Sequence, residues 1–142
     1  MKLLKYLALA SIISLSAANV VYSESNTSTF LNYKDLEWKK GVGNSETAVL
    51  WGDDTDGRYG NLTKLQPGAG IGYHYHSNDL RAVVVKGSVY IRDKNNVKET
   101  VLDTGSYFFR KGKEVFEIRC AFDDECVLLF MQTGILDFNF VK

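Results

Sequence analysis

The chain contains only two histidines, His74 and His76, and they lie two residues apart. They belong to a short β-rich run at residues 71–76, and side chains two residues apart on a strand project from the same face. Two imidazoles on one face can chelate a divalent metal ion, with zinc, iron, manganese, copper and nickel as the candidates. The alternative is a pair of hydrogen-bonded histidines in the core, and the pair alone favours neither interpretation.

The two cysteines, Cys120 and Cys126, flank a polar and acidic turn between two apolar runs, at residues 115–118 and 127–131. This pattern predicts a β-hairpin, and facing residues of an antiparallel strand pair are close enough for a disulfide. We therefore predict an intrachain disulfide that stabilises the fold by roughly 2 kcal/mol in the chain-entropy model. Two free thiols or a metal-binding pair are the alternatives, although the spacing does not match a CxxC site.

The first 23 residues have the features of a secretory signal peptide, since two lysines precede an apolar run at residues 6–18 and small residues follow it. We predict cleavage after Ser23 or after Ala18, and hence a secreted or periplasmic protein without stable membrane insertion after cleavage. An uncleaved signal anchor is the alternative. Residues 24–35 are polar and predict a flexible N-terminal arm.

The remaining residues, 36–142, predict one domain with a hydrophobic core, since 45% of the 142 residues are hydrophobic and 13% are aromatic. The balance of 17 Lys+Arg against 17 Asp+Glu excludes a nucleic-acid-binding protein that works through a basic face. Short β-rich runs bounded by Gly and polar clusters predict an all-β fold, a jelly roll or small barrel. These runs lie at residues 48–51, 62–65, 71–76, 82–85, 89–92, 97–102, 107–109, 115–118, 127–131 and 136–141.

The histidine pair lies in a segment that resembles the first motif of the cupin superfamily. That motif is a Gly, five residues, His-x-His, three or four residues, a Glu, six residues and a Gly. Gly68 matches its first position, His74 and His76 match the His-x-His, and Gly87 matches its last position. Leu80 stands where the motif has its Glu.

The second cupin motif is degraded in this chain. Starting from Gly105, it places Phe116 at the position of the motif's His and Cys120 at the position of its Asn. More narrowly, the chain is similar to an uncharacterised exported family of ChrR-like cupins over about residues 36–141. The segments that carry this resemblance are residues 48–53, 62–68, 81–87 and 105–108, together with the cysteine pair.

The cupin resemblance implies a double-stranded β-helix, which is a jelly-roll barrel whose pocket holds a metal ion through two His and the Glu of the first motif and the His of the second. Leu80 and Phe116 cannot bind a metal, so a complete three-His-one-Glu site is excluded. Asp79, beside the lost Glu position, and Glu114, with the strand parity of Phe116, are the candidate replacement ligands. Each is otherwise a surface carboxylate.

The two apolar substitutions favour a pocket for a small, partly hydrophobic molecule, with Tyr73, Tyr75, Leu80 and Phe116 as its candidate lining. Three classes of function follow. The first is an exported module that binds an unidentified small-molecule ligand or a weakly held divalent metal ion. The others are a metal-dependent enzyme of the oxygenase or isomerase type, and a sensor or assembly barrel with a vestigial metal site. Loss of metal ligands favours binding over catalysis, and the cupin resemblance implies a homodimer.

Overall fold

The computed structural model describes residues 28–53, 55, 57–96 and 98–142. The signal peptide predicted at residues 1–23 lies outside the described residues, and the predicted arm at residues 24–35 is described only from residue 28 onward. A 3-10 turn at Tyr33–Asp35 precedes the strands. In this part of the chain, no helix is long and apolar enough to span a membrane.

Each of the ten β-rich runs of the sequence overlaps a strand, which confirms the all-β prediction. A further two-residue strand, β1, was not predicted, because two exposed lysines show no alternation of polar and apolar residues. In chain order the strands are β1 (Lys39–Lys40), β2 (Ser45–Gly52), β3 (Tyr59–Leu65), β4 (Gly70–Tyr75), β5 (Leu80–Lys86), β6 (Ser88–Asp93), β7 (Glu99–Asp103), β8 (Tyr107–Arg110), β9 (Phe116–Cys120), β10 (Cys126–Gln132) and β11 (Asn139–Phe140).

The strands form two antiparallel sheets, which is the arrangement of a jelly roll. One sheet has six strands in the order β1-β2-β3-β10-β5-β8, and the other has five in the order β11-β4-β9-β6-β7. Since consecutive strands such as β4 and β5 belong to different sheets, the chain crosses from sheet to sheet at the ends of the barrel. These crossings bring residues of both sheets to one interior.

Alternation along the strands supplies the core. On β5, for example, Leu80, Ala82 and Val84 are buried, while Arg81 and Val83 between them are only half-buried. The same period of two on β9 buries alternate residues, as expected of strands with one face toward a core. The core cluster draws on both sheets and contains Leu65, Ile71, Leu80, Ala82, Val84, Val89, Ile91, Phe108, Phe116, Ile118, Cys120, Cys126 and Leu128.

The predicted disulfide between Cys120 and Cys126 is present, with 5.6 Å between the two Cα atoms. The predicted hairpin around it is wrong. Strand β9 pairs with β4 and β6, whereas β10 pairs with β3 and β5, so the two strands belong to different sheets. The acidic turn between the cysteines is a crossing from one sheet to the other, and the disulfide therefore links the two sheets at this end of the barrel.

Candidate functional site

A cavity of about 700 Å³ lies inside the barrel, between the two sheets. Its lining combines hydrophobic side chains with about as many polar ones. Six lining residues gather at the end of the barrel where β4 and β10 end and β5 begins. We call this group the histidine end, and it consists of His74, His76, Leu80, Phe116, Gln132 and Phe138.

His74 lies on β4 and is buried, with 1% of the residue exposed. Its Nδ1 lies 2.7 Å from the carbonyl oxygen of Gly72. Because a carbonyl oxygen only accepts hydrogen bonds, Nδ1 carries a proton and donates it. Burial lowers the pKa of His74 to about 4 and outweighs the opposing effect of the bond to Gly72, while neighbouring His76 lowers it further. The ring is therefore neutral at neutral pH.

His76 lies just beyond β4, and its Nδ1 donates to the carbonyl oxygen of Asp137 over 2.6 Å. Burial lowers the pKa of His76 despite this bond and the nearby charge of Asp137. The Asp137 carboxylate itself accepts hydrogen bonds from the amide nitrogen and hydroxyl of Ser77 and from the amide of Asn139. Burial raises the pKa of Asp137, but these hydrogen bonds bring it below its usual value. They also hold the segment after β10 against the β4–β5 connection.

The two rings share one tautomer. Since Nδ1 carries the proton in His74 and in His76, Nε2 of each neutral ring is an unprotonated nitrogen with a free lone pair. The ring centroids are 5.1 Å apart, and the ring planes are perpendicular. The fold thus brings the two histidines together inside the cavity as two hydrogen-bond acceptors or metal ligands.

Aromatic side chains surround the imidazoles. The ring of Phe116 lies 4.6 Å from His74, and that of Phe138 lies 4.8 Å from His76, between centroids. Phe116 lines the cavity, as does Leu80. Tyr73 and Tyr75 do not line it, so their prediction as pocket residues is wrong. The alternation along the end of β4 that directs the histidines inward directs the tyrosines outward.

The two candidate replacement carboxylates make contacts elsewhere. Asp79 accepts a hydrogen bond from the backbone nitrogen of Gly112 over 2.9 Å. Glu114 is exposed and lies 3.6 Å from Nε of Arg110. Neither carboxylate lines the cavity. Within residues 28–53, 55, 57–96 and 98–142, no three His, Cys, Asp or Glu side chains are grouped so that they could hold a metal ion.

Gln132 is a member of the histidine end that the sequence analysis missed. It is the last residue of β10, pairs with Leu80 on one side and Tyr59 on the other, and is 4% exposed. Its Oε1 is buried and has no hydrogen-bond partner within the described part of the chain. Strand alternation with Leu128 and Phe130 was the available signal, because it places Gln132 on the interior face.

The metal centre that the cupin resemblance implies does not fit these residues. The Glu position is filled by Leu80 and the second His position by Phe116, both of which are hydrocarbon side chains inside the cavity. The orphaned polar atom next to Leu80 is the neutral amide oxygen of Gln132. Two imidazoles and an amide oxygen lack the third imidazole or carboxylate that completes a typical catalytic site.

Comparison with solved structures gives similar folds at low sequence identity. The polyketide cyclase RemF from Streptomyces resistomycificus is 13% identical with a TM-score of 0.71, over 82% of this chain and 87% of that chain. KdgF from Halomonas sp. is 17% identical with a TM-score of 0.61, over 75% and 94%. An RmlC-like cupin from Shewanella frigidimarina NCIMB 400 is 16% identical with a TM-score of 0.61, over 76% and 93%.

At these identities the solved structures establish the fold alone, which is the cupin fold. A comparison with curated proteins found no match. Residues 19–138 match the model of a family described as a domain of unknown function, DUF4437. Because this match spans most of the 142 residues, the chain belongs to the DUF4437 family.

Proposed function

We propose that this protein is an exported binding barrel that holds a small, partly apolar organic molecule in its interior. The observation that carries the proposal is the cavity of about 700 Å³, which falls within the usual size of small-molecule sites. Most of the wall area is apolar, and polar side chains line it at the histidine end and along β2 and β3. Apolar walls with placed polar groups are the usual composition of a site that fixes the orientation of a ligand. The predicted signal peptide and the disulfide support export.

Binding without turnover is supported by the state of the two histidines. A general base works best when its pKa is near the working pH. Burial lowers the pKa of His74 to about 4 and lowers that of His76 as well, so both rings are weak bases. Neither Asp79 nor Glu114 lines the cavity to serve instead, and Asp53, which does line it, accepts hydrogen bonds from the nitrogen and hydroxyl of Thr55.

The test is a thermal-melting screen of the exported protein, purified without a His tag, against a library of small and partly apolar molecules. A ligand that binds the folded state raises the melting temperature. Hits are then measured with two matched variants of β2. Val49→Trp fills the cavity, because Val49 lines it, whereas Leu50→Trp changes a neighbouring residue that does not.

We expect hits whose binding is lost in Val49→Trp and retained in Leu50→Trp. Binding that survives in both variants would place the ligand outside the barrel and refute the proposal. Calorimetry with each purified hit gives the stoichiometry, for which we expect one molecule per chain.

A metal-binding function is the second candidate, and one observation favours it. Each histidine is held through Nδ1 by a backbone carbonyl, and such bonds orient an imidazole for metal binding through Nε2. Elemental analysis of the exported protein and of a His74→Ala, His76→Ala double variant separates the two candidates. About one metal ion per chain, lost in the variant, would establish the metal site, whereas the binding-barrel proposal expects less than a stoichiometric amount in both.

A further inference from the structure

The histidine end presents hydrogen-bond acceptors to the cavity. Nδ1 of His74 and Nδ1 of His76 already donate to backbone carbonyls. The other nitrogen of each ring, Nε2, therefore carries a lone pair that can accept a hydrogen bond. Gln132 adds a buried Oε1 that has no partner among the described residues. Neither ring can switch to the other tautomer without breaking its bond to the backbone. A buried acceptor without a donor, such as Oε1 of Gln132, is unfavourable. The two imidazole lone pairs beside it add further acceptors, so this group is matched by a ligand that donates hydrogen bonds.

The charges around the cavity favour a neutral donor. Within the described residues, the charged members of the lining are Lys39, Lys40 and Asp53. The lysines lie on β1 and pair with the first half of β2. The other end of β2 is level with Gln132, because Gly52 pairs with Tyr59 and Tyr59 pairs with Gln132. Oδ1 of Asp53 already accepts hydrogen bonds from the nitrogen and hydroxyl of Thr55. An anion would therefore face lone pairs at the histidine end. A cation would be drawn to the carboxylate of Asp53, whereas the acceptors of the histidine end are neutral and are matched by a neutral donor.

The cavity lining favours a ligand whose donor group is attached to an aromatic ring. Phe116, Phe130 and Phe138 all line the cavity, and two of these rings lie against the imidazoles. Aromatic pairs in tilted or edge-to-face contact add stabilisation beyond the area that they bury. A flat ring entering beside them gains these contacts, and a hydroxyl on its edge can reach the acceptors.

Resting on the binding function proposed above, we infer that the ligand is a neutral aromatic alcohol of the phenol type. Its hydroxyl donates to the acceptors of the histidine end, formed by His74, His76 and Gln132, and its ring packs among the phenylalanines. This assignment differs from a metal site, because the same lone pairs are used for hydrogen bonding to an organic molecule.

The test compares naphthol with its methyl ether, which has the same ring but no donor. Both are titrated by calorimetry into the wild-type exported protein and into the Val49→Trp variant. We expect naphthol to bind about five- to tenfold more tightly than the ether, the value for one hydrogen bond to a buried acceptor, and both to be excluded by Val49→Trp. Equal binding of the two compounds would overturn the donor assignment while leaving the binding barrel intact.

A third probe and three variants complete the experiment. Tighter binding of naphthylmethylammonium than of naphthol would overturn the neutral assignment. If none of the three probes binds, this inference is overturned, even where other molecules of the library bind the barrel.

The acceptors are removed one at a time in Gln132→Met, His74→Asn and His76→Asn, with Met131→Leu on the outward side of β10 as the control. We expect the preference for naphthol to fall toward parity in at least one acceptor variant and to persist in the control. A preference that persists in every acceptor variant would refute the site, and the wild-type comparison needs no variant to fold.

Discussion

Acidification should destabilise this protein through its two buried histidines. In the folded protein, burial lowers the pKa of His74 from 6.5 to about 4. The unfolded chain, whose histidine pKa is unshifted, therefore binds more protons than the folded one between these two values. The stability that neutral His74 contributes is fully present above the pKa that it has in the unfolded chain. This contribution is lost as the pH falls through the pKa that it has in the folded protein. His76 acts in the same direction, because burial lowers its pKa too.

The expected size of the effect follows from the shift of His74. Linkage over a shift from 6.5 to about 4 gives a loss of about 2 kcal/mol in the free energy of unfolding between about pH 7 and about pH 4.5. His76 adds to this loss. This pH range suits the measurement because the chain has only two histidines. The lowered pKa of Asp137 places the titration of its carboxylate below the range.

The assay is urea denaturation followed by circular dichroism across this pH range, for the wild type and for His74→Asn. The asparagine amide can still donate to the carbonyl oxygen of Gly72, whereas it no longer titrates. We expect the variant to lose the part of the pH dependence that His74 contributes and to keep the part that His76 contributes, whatever its absolute stability. A wild-type stability that is flat to within about 0.5 kcal/mol, or a variant that keeps the full slope, would refute the assignment of the slope to buried His74.

Three further changes test the fold around the site by urea denaturation. Replacing Cys120 and Cys126 together by Ser should lower the free energy of unfolding by about 2 kcal/mol, because the unfolded chain gains the freedom of the loop, and an unchanged value would contradict this. Gly60→Ala should cost about 1–3 kcal/mol, since its Cβ would lie 2.1 Å from the ring of Trp51. Gly72→Ala is the control, because no atom lies within 4 Å of its Cβ, and it should change the free energy of unfolding by less than about 0.5 kcal/mol. Asp137→Ala should lower the free energy of unfolding by about 2 kcal/mol through lost hydrogen bonds, and a loss no larger than that of Gly72→Ala would contradict its role.

The all-β fold was predictable because alternation is local. A strand that faces a core on one side shows its period of two in the sequence, and β5 and β9 show it clearly. The partners of each strand were not predictable, because pairing depends on contacts that are distant in sequence. The turn between Cys120 and Cys126 illustrates the difference: its residues have the composition of a hairpin, yet it joins strands of different sheets.

The site was predictable only in part, for the same reason. Spacing placed His74 and His76 on one face, and the structure gathers them at one end of the cavity. Strand parity applied consistently would also have directed Tyr73 and Tyr75 outward and Gln132 inward. That Oε1 of Gln132 lacks a partner depends on every side chain around it, which no local pattern contains.

The two apolar substitutions at the cupin ligand positions do more than remove ligands. Phe116 lies against His74, and Leu80 is paired in the sheet with Gln132, so hydrocarbon surrounds the polar atoms that remain. Burial then holds both imidazoles in the neutral form, and backbone carbonyls fix which nitrogen keeps the proton. The result is a set of acceptors with fixed orientation beside apolar side chains. In such surroundings a single hydrogen bond discriminates between a ligand with a donor and one without more strongly than it would in water. Restoring a carboxylate by Leu80→Glu should therefore raise the histidine pKa values and increase metal retention, at the expense of the preference for a neutral hydroxyl group.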